Sequence, residues 1–180
     1  MTNNGPEEVS STLDIISHST TQTQRLGMRL GDLVRAGDLI LLDGQLGTGK
    51  TTFTQGIAQG MGIPENISSP TFTLLKEYSA TSVSSGQQIR SLPLYHFDLY
   101  RLDDPEEILA LGFEDYFYGS GVCVVEWADK AGQLWPLEHV RVALKVVNET
   151  KRGLLFTATG ARYCALLRQF QKNTYATTSS

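Results

Sequence analysis

Residues 39–60 place an apolar run, a glycine-rich loop and a helix-forming segment in direct succession. The run Leu39–Leu42 is typical of a buried parallel strand. The loop from Gly44 to Thr51 reads GQLGTGKT and fits the pattern G-x-x-x-x-G-K-[ST]. A helix is predicted over Thr51–Gln59, because glycines follow at positions 60 and 62. This order predicts a P-loop nucleotide site and is far less compatible with a glycine-rich turn that matches by chance.

The residue types of the loop suit the binding of phosphate. Glycine at 44, 47 and 49 allows the backbone to turn its N–H groups inward at φ angles that a Cβ would penalise. Lys50 would place an ammonium against the β- and γ-phosphates, and the Thr51 hydroxyl can ligate Mg²⁺. The positive end of the following helix also favours an anion at this position.

Length and composition set the broad class of the protein. A chain of 180 residues with 41% hydrophobic residues is long enough for one domain with a core. No apolar run approaches the roughly 20 residues that span a bilayer, and the N-terminus has no secretory pattern. A reduced core thiol at Cys123 indicates a cytoplasmic protein. The net charge of −4 argues against a large basic surface for nucleic acid.

We divide the chain into a disordered N-terminal extension (1–12), a P-loop ATPase domain (13–172) and a flexible tail (173–180). Strands are predicted at 13–16, within 68–80, within 92–102, within 121–130 and in the pair VRVALKVV and GLLFTATG. Asp104 and Pro105 are typical of a helix start, and Ser19 or Thr20 suits the cap of an earlier helix. Residues 79–91 are interpreted as a hairpin or surface loop.

Two carboxylates occupy positions where a P-loop enzyme needs acids. Glu126 ends the apolar run 122–125, and Asp98 ends the run 94–97. An acid at the end of a buried strand commonly provides a second anchor for Mg²⁺. The alternative for each is a solvated residue at a strand end, and four buried-type residues leading directly into Glu126 favour function there.

Three further positions have open interpretations. Thr71 follows a Ser-Pro pair and could belong to a loop that senses Mg²⁺ and the γ-phosphate, or it could cap a turn. His96 could act as a base, but we interpret it as a structural histidine within a strand. Trp127 could stack on a base or a partner, or anchor the core.

Two other classes of P-loop protein compete with an ATPase. Asp129–Gly132 reads D-x-x-G, as in a small GTPase-like switch, but no later N/T-K-x-D segment is present to recognise guanine. A small-molecule kinase usually needs an arginine-rich lid. The arginines of this chain are scattered and do not form such a cluster. Neither class is favoured.

The stretches DGQLGTGKTTFTQG, SPTFTLLKEY, YHFDLYRLDDPEE, LGFEDYF and VVEWADK occur in this order. Together they resemble the TsaE (YjeE) family over about 13–160. The resemblance implies an α/β fold, a single-domain P-loop NTPase with a mixed, mainly parallel sheet flanked by helices. It also implies slow Mg²⁺-dependent hydrolysis of ATP in the pathway that makes threonylcarbamoyladenosine in tRNA. The implied partners are TsaB and TsaD, and direct strong binding of tRNA is not expected.

The resemblance also implies roles for individual residues. Lys50, Asp98 and Glu126 would be catalytic, Thr51 and Glu126 would bind Mg²⁺, and Thr71 would lie in a switch loop. Thr20 and Arg152 are the nearest equivalents of segments that hold the nucleotide at both ends of the family domain. The complete set predicted to bind ATP is Thr20, Leu46, Gly47, Thr48, Gly49, Lys50, Thr51, Thr52, Trp127 and Arg152.

Overall fold

The computed structural model describes residues 9–70, 73–79 and 92–176. Its strands are β1 (Ser10–Ser17), β2 (Leu39–Asp43), β3 (Leu75–Tyr78), β4 (Leu94–Asp98), β5 (Val122–Glu126), β6 (His139–Val146) and β7 (Arg152–Thr159). Its α-helices are α1 (Thr20–Gly31), α2 (Lys50–Gly60), α3 (Pro105–Ala110) and α4 (Ala161–Ala176), and short 3₁₀ helices cover Phe113–Asp115 and Ala128–Ala131. These strands form one sheet in the order β1-β7-β6-β2-β5-β4-β3.

The sheet is mixed, as predicted, and its parallel part lies in the centre. Strands β6, β2, β5 and β4 pair in parallel, whereas β1, β7 and β6 at one edge and β3 with β4 at the other pair antiparallel. Parallel neighbours place their carboxyl ends at the same edge of a sheet, which is where ligands bind in open α/β folds. The ends of β2, β5 and β4 therefore meet beside the loop that precedes α2.

Each face of the sheet has its own core. Helices α1, α2 and α4 cover one face, where they pack on Ile40, Leu42, Val124 and Phe156. Helix α3 and the two 3₁₀ helices cover the other face, which includes Leu41 and Val125. Side chains alternate between the faces along each strand. The buried strands therefore read as continuous apolar runs, because both faces are packed.

Helices α1 and α2 touch through their backbones, because glycines lie where they cross. A Cβ added at Gly27 would come within 2.2 Å of the Phe53 carbonyl oxygen, and one at Gly56 within 2.0 Å of the Gln24 carbonyl oxygen. Gly31 and Gly60 extend the same contact, with the nearest carbonyl oxygens at 2.2 and 2.1 Å. A side chain larger than hydrogen has no room at these positions. The two helices consequently pack as one unit.

Two predicted boundaries differ from the structure. Strand β1 begins at Ser10 rather than at residue 13, because the polar residues 10–12 pair their backbones with residues 157–159 of β7. Strand pairing at a sheet edge uses backbone groups and does not require apolar side chains. Helix α4 also continues past residue 172 to Ala176, and the Thr174 hydroxyl donates to the Phe170 carbonyl at 2.8 Å in its final turns. Residues 1–8, 71–72, 80–91 and 177–180 lie outside the described residues.

The predicted helix caps and the predicted burial of the Cys123 thiol are confirmed. The Ser19 side chain accepts a hydrogen bond from the Gln22 N–H at the start of α1, and Asp104 accepts one from Glu106 at the start of α3. Cys123 and Cys164 are both buried and free. In the part of the chain that the structure describes, no helix has the length and apolar character needed to cross a membrane.

Candidate nucleotide-binding site

A cleft of about 530 Å³ lies at the carboxyl ends of the central strands, beside the first turns of α1 and α2. Most of the predicted site residues line it. They are Thr20, Leu46, Gly47, Gly49, Lys50, Thr51, Thr52, Asp98, Glu126, Trp127 and Arg152. We call the part of the cleft formed by Lys50, Thr51, Asp98, Glu126 and Trp127 the inner end. The part formed by Thr20, Leu46, Glu149, Thr150 and Arg152 is the rim.

The loop between β2 and α2 has the backbone that the sequence predicts. Gly44, Gly47 and Gly49 all have positive φ, at 147°, 79° and 102°. These values favour glycine and allow successive N–H groups to turn to one side. The Thr48 side chain is buried, and its hydroxyl donates to the Gln45 carbonyl at 2.9 Å. Its side chain closes the turn of the loop and does not line the cleft.

Lys50 is held over the loop by three neighbours. Its Nζ donates to the carbonyls of Gly44 at 2.5 Å and Gln45 at 2.9 Å, and lies 4.1 Å from the centre of the Trp127 ring. Burial lowers the pKa of Lys50 below its usual range, and the negative charges of Glu126 and Asp98 oppose that shift. A cation with little water around it binds phosphate oxygens more strongly than one in bulk solvent.

Glu126 is the polar centre of the inner end, and only 2% of its surface is exposed. His96 Nε2 lies 2.9 Å from Glu126 Oε1, and the Thr51 hydroxyl lies 3.1 Å from both carboxylate oxygens. The Thr54 hydroxyl is 3.4 Å from Oε1, but it lies closer, at 2.9 Å, to the Lys50 carbonyl. A buried carboxylate needs such donors, because burying an unpaired charge is costly.

Asp98 lies beside Glu126, since these residues are register partners at the ends of β4 and β5. Its side chain is also buried, with 2% of the residue exposed. Oδ1 accepts the Tyr100 N–H at 2.9 Å, and Oδ2 accepts the Ser69 hydroxyl in a short hydrogen bond. Ser69 therefore links the segment that precedes Thr71 to the inner end of the cleft. Thr71 itself lies outside the described residues.

Trp127 follows β5 in a left-handed conformation with φ at 59°. Bulky residues rarely adopt this conformation, and such outliers often occur at functional sites. The turn places the indole against Lys50 and 5.0 Å from the Tyr100 ring, measured between ring centres. Lys130 supports this arrangement from behind by donating to the Tyr100 carbonyl at 2.5 Å. Trp127 thus lies next to Lys50.

The rim is built from exposed segments of three elements. Arg152, at the start of β7, donates to the carbonyls of Asn148 at 2.9 Å and Lys151 at 3.0 Å. Its other nitrogen lies 3.4 Å from the Gly47 carbonyl, so the arginine joins the β6–β7 turn to the phosphate loop. Thr20 lines the cleft from the first turn of α1, and Thr23 lines it one turn further along.

Several residues of the site were not predicted from the sequence. Thr23, Ser69, Tyr100, Glu149 and Thr150 line the cleft. His96 contacts Glu126 from the interior of the sheet. For His96 a signal was present, because residues 96 and 98 are two apart in a strand and share a face with Glu126 of the neighbouring strand. The other residues come together only through tertiary contacts.

The structure does not support the GTPase-like interpretation of Asp129–Gly132. Asp129 is exposed and does not line the cleft, and Lys130 of the same segment serves to hold the backbone at 100–102. Among the described residues, Arg152 is the one arginine that lines the cleft. An arginine-rich lid of the kind found in small-molecule kinases is therefore not seen in this part of the chain.

The donors at the inner end suit Mg²⁺ held together with a phosphate chain. No group of three or more His, Cys, Asp or Glu side chains is arranged to hold a metal within 9–70, 73–79 and 92–176. Mg²⁺ commonly takes one or two carboxylates and leaves its remaining positions to water and phosphate oxygens. The Thr51 hydroxyl and the Glu126 carboxylate provide oxygen ligands of that kind, 3.1 Å apart.

Comparison with known proteins agrees with this geometry. The family model described as "Threonylcarbamoyl adenosine biosynthesis protein TsaE" matches residues 17–154. The tRNA threonylcarbamoyladenosine biosynthesis protein TsaE of Bacillus subtilis is 39% identical over 152 residues, which cover 84% of this chain and 89% of that protein. The protein of the same name from Treponema pallidum is 39% identical over 139 residues, covering 77% and 96%. The crystal structure of Bacillus subtilis YdiB matches with a TM-score of 0.76 and 33% identity, over 92% of this chain and 98% of that one.

The glycine-rich loop between β2 and α2, with Lys50 and Thr51 at its end and acids on the neighbouring strands, defines a P-loop-type protein. The sequence similarity to TsaE proteins, which extends over most of the chain, is more specific than membership of this broad class. The chain belongs to the TsaE family.

Proposed function

We propose that the protein binds and hydrolyses ATP with Mg²⁺, as one component of the system that forms threonylcarbamoyladenosine in tRNA. It would act in the cytoplasm on a TsaB–TsaD complex rather than on tRNA directly. Membership of the TsaE family supports the pathway. The net charge of −4 supports a role that does not depend on an extended RNA-binding surface.

The observation that carries the proposal is the contact between Thr51 and Glu126. The hydroxyl that follows the phosphate-binding lysine lies 3.1 Å from both oxygens of a buried carboxylate on the neighbouring parallel strand. This pairing places two oxygen ligands next to the positive start of α2. A structural P-loop without nucleotide chemistry has no need for a buried acid at this point.

Bound Mg²⁺ and ATP would supply a polarised γ-phosphoryl group with a good leaving group. Lys50 would bind the phosphate chain, and Thr51 and Glu126 would hold the metal. Asp98, next to Glu126, would orient groups at the reacting end, and its link to Ser69 connects it to the segment containing Thr71. Trp127 covers one side of Lys50, and Tyr100 packs against Trp127. We propose that binding of the nucleotide orders the Thr71 segment and that docking on TsaB–TsaD completes the site.

The test is hydrolysis of ATP and GTP by the purified protein with Mg²⁺, alone and with a TsaB–TsaD pair, beside Lys50→Ala. We expect slow turnover of ATP that rises when the pair is added and is lost in the variant. Turnover at ordinary enzyme rates of about 10 per second that ignores the pair would contradict partner-dependent hydrolysis. A preference for GTP would revive the GTPase-like alternative.

A further inference from the structure

The proposed chemistry needs a Glu126 carboxylate with a defined rotation, and the structure offers few ways to fix it. The Thr51 hydroxyl lies 3.1 Å from each oxygen and so selects neither. A hydroxyl has one proton to donate. That of Thr54 goes to the closer Lys50 carbonyl, which leaves its 3.4 Å approach to Oε1 as a weak contact. Neither threonine therefore determines which oxygen faces the cleft.

His96 is the neighbour that distinguishes the two oxygens. Its Nε2 is 2.9 Å from Oε1, and the histidine is completely buried in the centre of β4. A side chain in a closely packed interior has few alternative rotamers, so complete burial favours a single orientation of the ring. Among the described residues, no other strong side-chain donor is directed at Oε1 alone.

The hydrogen-bonding pattern also sets the tautomer of His96. An ionised carboxylate only accepts hydrogen bonds, so Nε2 must carry the proton that joins it to Glu126. Nδ1 is buried and has no hydrogen-bond partner among the described residues. A buried N–H without an acceptor costs more than a bare lone pair, which an apolar environment tolerates more readily. Between the two tautomers, the pattern therefore favours the one that carries its proton on Nε2.

We propose that His96 is a positioning residue for the Mg²⁺ site, and this inference rests on the function proposed above. By donating from Nε2 to Oε1, it would hold Glu126 so that Oε2 and the Thr51 hydroxyl face the cleft together. His96 itself would touch neither nucleotide nor metal. Outer-shell hydrogen bonds of this kind orient a metal ligand and typically contribute about 10- to 100-fold to affinity or activity.

The first test compares ATP binding in Mg²⁺ with ATP binding in EDTA, by calorimetry, for the wild type, His96→Leu and His96→Gln. We expect His96→Leu to weaken binding in Mg²⁺ by about 10-fold or more and to leave binding in EDTA nearly unchanged. His96→Gln should recover most of the loss, because its amide can donate from nearly the same place. Equal losses in Mg²⁺ and EDTA would assign His96 a merely structural role and overturn the proposal.

Leu94→Ala is the matched control for loss of packing. Leu94 is fully buried two residues earlier in β4, on the same face as His96, and does not line the cleft. The variant should be less stable to heat than the wild type and should keep the difference between Mg²⁺ and EDTA. If Leu94→Ala lost the Mg²⁺-dependent part of the affinity as His96→Leu does, positioning would be refuted.

The second test does not need a variant that folds or a bound nucleotide. Nitrogen NMR of the wild-type protein labelled in its three histidines would show which ring nitrogen of His96 carries the proton. A proton on Nε2 supports the proposal, whether or not Nδ1 also carries one, and an Nε2 without a proton overturns it. If the wild type bound ATP equally with and without Mg²⁺, the proposed function would fail, whereas the NMR signal would still report whether His96 holds Glu126.

Discussion

At the inner end of the cleft, no more than 5% of Lys50, Asp98 or Glu126 is exposed, whereas Leu46 at the rim leaves 77% of its surface in solvent. The charged side chains at the inner end are contacted by residues from other parts of the chain. Glu126 at the end of β5, for example, is contacted from both α2 and β4. At the rim, by contrast, Arg152 donates hydrogen bonds to backbone carbonyls of an exposed turn.

This difference in burial predicts different roles, with the reaction at the inner end and nucleotide affinity at the rim. A buried charge is destabilising unless its partners are in place, so every contact at the inner end has a large effect on the site. Exposed contacts exchange with water and individually contribute little. We therefore expect changes at the inner end to affect turnover and Mg²⁺ dependence, and changes at the rim to affect nucleotide affinity by modest factors.

Glu126→Gln should have the largest effect on activity. The amide keeps the shape of the side chain but removes the negative charge that would hold Mg²⁺, so we expect turnover to fall by about 100- to 1000-fold. The measurement is steady-state ATP hydrolysis in the presence of TsaB–TsaD. Glu149→Gln makes the same change at the rim and should lower the rate by much less. Similar losses in both variants would remove the distinction between the two ends.

Gly56→Ala tests how much stability depends on the close contact between α2 and α1, the helix that carries Thr20 at the rim. The new Cβ would meet the Gln24 carbonyl at 2.0 Å, so the helices must separate. We expect a loss of about 1–3 kcal/mol in the free energy of unfolding, measured with urea. Gln59→Ala changes an exposed position of the same helix and should leave stability nearly unchanged. A stable Gly56→Ala protein would show that the helix contact adjusts freely.

Tyr163→Phe tests a buried contact far from the cleft. The Tyr163 hydroxyl accepts the Leu39 N–H at 2.9 Å at the start of β2, and its loss should cost about 1–3 kcal/mol at neutral pH. Burial raises the pKa of Tyr163 from 10 to about 12. Its contribution is thus complete below pH 10 and is lost as the pH rises through 12.

The pH dependence of urea unfolding in the wild type and Tyr163→Phe checks this sign. The wild type should lose more stability than the variant between pH 10 and 12. The Cys123 thiol, whose pKa burial raises to about 12, is present in both proteins and cancels in the comparison. Parallel curves for the two proteins would contradict the prediction.

Arg152→Ala should have the smallest effect. Its bonds lie at the exposed turn and the edge of the phosphate loop, so we expect ATP affinity to fall by roughly threefold to tenfold, with the maximal rate little changed. Calorimetric titration with ATP and Mg²⁺ measures the change, and Arg168→Ala on the exposed side of α4 serves as the control. A collapse of turnover in Arg152→Ala would place the arginine in the chemistry instead.

The residues that line the inner end could be predicted from the sequence, whereas the residues that hydrogen-bond to them could not. The spacing of Gly44–Thr51 and the apolar runs before Asp98 and Glu126 specify local features, and local features can be seen in a single sequence. His96 and Ser69 act through contacts with residues about 30 positions away, and such contacts depend on how the chain folds in three dimensions. The strand at residues 10–12 was missed because edge pairing gives no apolar signal.

The glycine contact between α1 and α2 has a mechanical consequence. The two backbones touch at these glycines, with no flexible side chain between them. A displacement of α1 would therefore also displace α2, the helix that carries Lys50 and Thr51. Arg25 and Met28 are exposed on that side. A protein that binds α1 on that side would therefore also restrict the motion of the phosphate loop, without entering the cleft.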